Sequence, residues 1–136
     1  MQRSSLRRMP SAVLLAVVLG VAAGTPPVAL ADGEARAGTF VGVSGHATSG
    51  AVTLERTADG YRVVLGDDFS FDGAPDPKIA LGKGGEVDTS TLMGLLESNS
   101  GSQSFAVPAG VDPAGYDEVH LWCEKYSVGL GIAPLE

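Results

Sequence analysis

The chain holds one cysteine and one tryptophan in 136 residues. A lone cysteine has no partner for an internal disulfide, so Cys123 is a small buried hydrophobe, a reactive thiol, a ligand, or half of an intermolecular bridge. Basic residues are scarce as well: nine Lys and Arg stand against sixteen Asp and Glu, with two His. That balance repels phosphate backbones and anionic lipid, which excludes nucleic acid and membrane surfaces as partners. Hydrolytic and phosphate motifs are missing. There is no Gly-x-Ser-x-Gly elbow and no His-Glu-x-x-His, and Gly82-Lys83-Gly84-Gly85 lacks the spacing and the Ser or Thr of a phosphate loop.

The chain begins with a basic head, Arg3, Arg7 and Arg8, then an uncharged apolar run over residues 12–23 and small residues at Ala29 and Ala31. This is the layout of a secretory signal peptide over residues 1–31. The run is shorter than the roughly 18–20 apolar residues that span a bilayer. The expectation is therefore cleavage before Asp32, a secreted or extracytoplasmic protein, and no membrane span once the signal is gone. No cysteine comes after the run to carry a lipid. Cleavage removes all three head arginines and leaves 105 residues, in which six basic side chains face sixteen acidic ones for a net charge of −10.

Residues 32–38 are small and polar and read as a flexible leader to a single domain over residues 39–136. Residues 51–56 and 61–65 alternate apolar and polar on either side of Asp59-Gly60, a hairpin pattern. Further strands are expected over residues 39–43, 78–81, 103–107, 118–126 and 128–133. Leu92, Leu95 and Leu96 are spaced for a helical turn within residues 91–96. The acidic connection over residues 67–77 offers only Phe69 and Phe71 to the core. Short strands with frequent turns, and no helix long enough to cross between parallel strands, predict an all-β, antiparallel β-sandwich of about seven to eight short strands.

The strand over residues 118–126 carries the only Trp and Cys and one of the His. Alternation puts Val119, Leu121 and Cys123 on a core face, and His120, Trp122 and Glu124 on a face that is wet or covered by a loop. His120 and Cys123 then point apart and do not share a metal. Val128, Leu130 and Ile132 are expected to join the core with Phe40, Val52, Leu54, Val63 and Phe105. The intervening Gly129 and Gly131 leave a bare face that another backbone or loop can approach.

Gly38-Thr39-Phe40-Val41-Gly42 with His46 and Gly50, then Asp68-Phe69, Gly73-Ala74-Pro75-Asp76, Gly101-Ser102-Gln103, Pro108, Tyr116, Val119-His120-Leu121-Trp122-Cys123, Tyr126-Ser127-Val128 and Gly131-Ile132-Ala133-Pro134-Leu135 together resemble the DM-13 domain family. The resemblance spans nearly the whole mature chain. It implies a β-sandwich that takes part in electron transfer, oxidatively modifying exported or cell-surface proteins. It also implies that Cys123, at the signature cysteine position, acts as a bare thiol or holds a prosthetic group such as haem. His120 stands where the family usually has an aliphatic residue, Ala74 adds a residue to its Gly-Pro-Asp, and Leu130 replaces a Phe.

Two residues are thus the site candidates: Cys123 as catalytic thiol or cofactor ligand, and His46, in a Gly-rich loop, as the second cofactor-binding residue. Thiolate and imidazole are both axial ligands of haem iron, and without a Cys-x-x-Cys-His motif any haem is bound non-covalently. Blue copper needs a second His and a Met close after the Cys, which are missing. Asp68-Phe69-Ser70-Phe71-Asp72-Gly73 mimics the opening of an EF-hand loop, but Ile79 occupies the place of its twelfth-position Glu. No metal centre is assigned. The expected partners are other exported or cell-surface proteins, among them a redox partner. The alternative reading is a non-catalytic extracellular binding or adhesion β-sandwich with a structural, buried cysteine. On an apolar strand, Cys123 is a poor nucleophile unless a bound group, an opening partner or His46 stabilises its thiolate.

Overall fold

The alternating residues of the hairpin bury Val52 and Leu54 on one strand against Val63 and Leu65 on the next, and this pair forms the middle of the first of two packed sheets. The computed structural model describes residues 35–136. The expected signal peptide and its cleavage site, and the first part of the leader, lie outside these residues. Among the described residues the strands run in chain order β1 (Arg36–Thr39), β2 (Val41–Gly42), β3 (Thr48–Ser49), β4 (Ala51–Thr57), β5 (Gly60–Leu65), β6 (Ser70–Phe71), β7 (Pro77–Lys83), β8 (Glu86–Asp88), β9 (Gly94–Leu95), β10 (Gln103–Ala106), β11 (Glu118–Cys123) and β12 (Val128–Pro134).

One sheet has the order β1-β4-β5-β10; the other has β2-β12-β11-β7-β8, with β9 also on β7; β3 and β6 form a short ribbon. Every pairing is antiparallel, and the fold is an all-β sandwich. Its core joins Val52, Leu54, Val63, Leu65 and Phe105 of the first sheet to Ile79, Leu81, Val119, Leu121 and Leu130 of the second. Phe40 and Phe69 add an edge-to-face pair with ring centroids 5.7 Å apart. Phe69 and Phe71, both buried, pin the acidic connection to that core.

Three expectations are corrected. The flexible leader ends earlier than residue 38, because Arg36 to Thr39 pair with Leu54 to Ala51. Ala37 also exchanges backbone hydrogen bonds with Glu136, and Arg36 donates to the Tyr116 carbonyl. The helical turn over residues 91–96 is absent. A short 3-10 turn, Thr89–Thr91, precedes β9, and the backbone of Met93 and Leu96 bonds to Ile79 and Pro77 of β7, which leaves Leu95 exposed. The buried Thr91 hydroxyl, which accepts the Leu81 N–H, makes the turn part of the sheet edge. Finally, Ile132 does not take its expected core place. The β11–β12 register shifts between Leu121 and Trp122, which face Gly131 and Gly129, so Leu130 is an extra, bulged residue. A bulge reverses the facing of the residues beyond it. Ala133 is therefore buried in the core and Ile132 pairs with His120.

Candidate functional site

β11 lies between β12 and β7, and its residues from Val119 to Leu121 and Cys123 are buried. Val119, Leu121 and Cys123 are buried as alternation requires, and Cys123 is 2% exposed at the strand's end. His120, on the other face, is just as buried, at 2%. Its cover is the β7–β8 hairpin: a Cβ at Gly82 would stand 2.3 Å from His120 Nε2, so only glycine leaves the ring its space. His120 Nε2 lies 2.8 Å from Glu118, whose carboxylate also accepts the Gly85 N–H. This pair joins strand to hairpin and leaves His120 on the opposite face from Cys123.

His46 reaches the thiol's side of the sheet through a chain of local causes. Ser44 and Gly45 both have positive φ, 56° and 79°, and His46 N–H donates to the Val43 carbonyl at 3.0 Å. That is a type I′ turn. The bulged Leu130 has no partner residue on β11, and its carbonyl accepts both the Val43 N–H, at 3.2 Å, and the Thr48 hydroxyl, at 2.8 Å. The loop is thereby tied to β12 where Gly129 and Gly131 let it approach; a Cβ on Gly131 would be 2.8 Å from Thr48. The bare glycine face expected from the sequence is occupied by the loop that carries His46.

Asp72 fixes the imidazole. Its two oxygens accept from His46 Nδ1 at 2.9 Å and from Ala47 N–H at 3.0 Å. The Ala47 and then the His46 hydrogen bonds hold the Asp72 carboxyl below its ordinary range. A carboxylate only accepts, so Nδ1 carries a ring proton, and in the neutral imidazole Nε2 is the bare nitrogen. The ring is also in contact with Phe71, centroid to centroid 5.8 Å. Asp68 likewise accepts the Ala51 N–H. Both carboxylates of the apparent calcium loop thus accept protein donors while staying exposed to water.

Cys123 and His46 line one partly open apolar pocket of about 250 Å³, together with the 73–75 loop, Tyr126, Val128 and Leu130. No hydrogen bond joins the two side chains; the pocket lies between them. The neighbouring charges are spent on one another: Lys78 pairs with Glu124 and Asp76, which raises its pKa, chiefly through Glu124, and the Lys125 ammonium sits over the Tyr126 ring. His46 is thus the one described group on the pocket wall able to take a proton from the thiol.

The pair supplies donors suited to haem iron, but the space does not suit a haem. About 250 Å³ is below the roughly 300–1,000 Å³ of ordinary small-molecule sites. Among the described residues no cluster of three or more His, Cys, Asp or Glu is placed to hold a metal ion. A wider, open concavity of about 730 Å³ lies beside β8. Its Tyr116 hydroxyl donates to Asp88 at 2.6 Å, which raises the tyrosine pKa and helps lower that of the aspartate.

The two candidates named from the sequence, Cys123 and His46, line one pocket; Asp72, 26 residues from His46, is not among them, since its local sequence only mimics a cation ligand. The family described as "Electron transfer DM13" matches residues 39–135. No curated protein and no solved structure matches the chain.

Proposed function

The chain belongs to the DM13 electron-transfer family, and from that premise we propose that it is an exported redox module whose reacting group is the Cys123 thiol, working on another exported or cell-surface protein. The observation that carries this reading is the shared pocket: Cys123 is buried, yet it lines the same small apolar space as an imidazole held by a carboxylate. A structural cysteine needs neither feature. Export rests on the basic head, apolar run and small-residue site of residues 1–31.

The chemistry is thiol–disulfide exchange. Cys123 sulfur attacks one sulfur of a partner disulfide, a bond forms between them, and the second partner sulfur leaves with the electron pair and takes up the thiol proton. One disulfide is thereby exchanged for another: Cys123 is oxidised into a mixed disulfide, and the departing partner sulfur is reduced to a thiol. Because the chain has no second cysteine, only a thiol from another molecule releases that product.

The test is to mix native protein with dithiodipyridine, an uncharged aromatic disulfide, and monitor the thiopyridone released. Release from folded protein, with the mixed disulfide located at Cys123 by mass spectrometry, is the expected result. The burial of Cys123 within the core cluster favours the opposing reading, a binding sandwich with a structural thiol. Release that occurs only at the rate of global unfolding, rising with denaturant, would establish that reading instead.

A further inference from the structure

Resting on that redox reading, we propose that Asp72 is a positioning residue of the site: it holds His46 in the tautomer whose bare Nε2 accepts the Cys123 proton and returns it to the departing sulfur of a disulfide seated in the apolar pocket. Asp72 touches neither thiol nor substrate. It acts through the ring, as a carboxylate behind an imidazole does in nucleophilic triads.

Three observations converge on this role. Asp72 uses both carboxylate oxygens on the His46 segment, one on Nδ1 and one on the next backbone N–H, so ring and loop are fixed together. The backbone reciprocates: Asp72 N–H donates to the Ala47 carbonyl at 3.1 Å. With Nδ1 so engaged, Nε2 has no hydrogen-bond partner among the described residues, in a ring that forms part of the pocket wall. The pocket that His46 and Cys123 both line is where a substrate disulfide belongs, beside the two. Such contacts are commonly long before a substrate arrives and tighten in the complex. The apolar walls, with Val128, Leu130 and the 73–75 loop, favour a disulfide flanked by uncharged groups, and the acidic chain disfavours an anionic one.

The proton balance is closed. The Cys123 S–H proton moves to His46 Nε2 as the sulfur attacks, and the imidazolium, paired with the Asp72 carboxylate, gives it to the leaving thiolate. Asp76, Lys78, Glu124 and Lys125 are the other charged groups at this end; Lys78 pairs with Asp76 and Glu124, and Lys125 sits over the Tyr126 ring, which leaves them outside this transfer.

Asp72→Asn separates position from charge. The Asn oxygen keeps the Ala47 N–H, its NH₂ is turned to Nδ1, and the ring must then carry its proton on Nε2. Dithiodipyridine exchange by Asp72→Asn and His46→Gln, measured against pH with the wild-type protein, is expected to slow by about 100-fold near neutrality and to converge with wild type in alkali, where the thiolate forms unaided. Equal rates and equal pH profiles in all three would overturn this assignment while leaving the redox reading intact. A wild-type thiol that does not react in the folded state would overturn both. Should Asp72→Asn fail to fold, ¹⁵N shifts of the wild-type His46 decide: a protonated Nδ1 with bare Nε2 supports the role, and the reverse tautomer refutes it.

Discussion

Leu121→Ala is the sharpest probe of the sheet on which the thiol depends. Leu121 is fully buried in mid-β11, paired with Ile79 of β7 on one side and Gly131 of β12 on the other. The change removes three carbons, a transfer loss of about 2.4 kcal/mol at roughly 0.8 kcal/mol per methylene. The cavity left behind adds to this unless neighbours close in. Both flanking strands are held by ladder hydrogen bonds, and Gly131 has no side chain to swing into the space, so relaxation is small. The total is then in the upper part of the range for buried Leu→Ala changes, about 3–5 kcal/mol, a large share of the roughly 5–15 kcal/mol typical of a domain. Urea titration should show a lower midpoint with an unchanged slope. A loss below about 0.5 kcal/mol, the size of a surface change, would mean that Leu121 does not face the core and that Cys123, two residues on, does not either.

The anchors around the pocket can be probed in the same way. Thr48→Val keeps the shape of the side chain but deletes the donor to the Leu130 carbonyl; a cost of about 1 kcal/mol is expected in the same titration, and no cost would show that the loop is held by its backbone alone. Asp72 and Asp88 both ionise below their ordinary value of 3.8 in the folded state. Their stabilisation is therefore complete above that value and is lost as pH falls through the lower folded value. Wild type should lose stability faster than Asp72→Asn across that acid window, and parallel acid curves would show that the Asp72 hydrogen bonds contribute nothing.

The parts of the fold set by local pattern are legible in the sequence. The β4–β5 hairpin comes from alternation around Asp59-Gly60, and the core placement of Val119, Leu121 and Cys123 from the two-residue period of a strand. His120 shows where the same rule stops: alternation names its face but does not reveal that the β7–β8 hairpin covers that face, since the cover depends on Gly82, 38 positions away in the chain. Ile132 escapes the rule because one extra residue at Leu130 breaks the period, and no residue type announces a bulge. The leucines at 92, 95 and 96 have helical spacing, yet backbone bonds to β7 outweigh so short a period. At the site, Cys123 stands out by its rarity and His46 by its glycine-rich loop, whereas Asp72 acquires its meaning only from a tertiary contact that β3 and β6 bring about.

The bulge at Leu130 also acts as a ruler. From Cys123 through the turn to Leu130, the chain counts out the distance between the sulfur and the carbonyl on which the His46 loop hangs, and it does so by the number of residues more than by their kind. Deleting one residue there would let β12 pair with β11 one to one and remove the unpaired carbonyl, while Ile132 stays opposite His120. The sandwich has the means to close in such a chain, but the imidazole would lose its mooring. In β12, spacing should be guarded more strictly than composition: exchanges among aliphatic side chains leave the separation of sulfur and ring intact, whereas a gain or loss of one position does not.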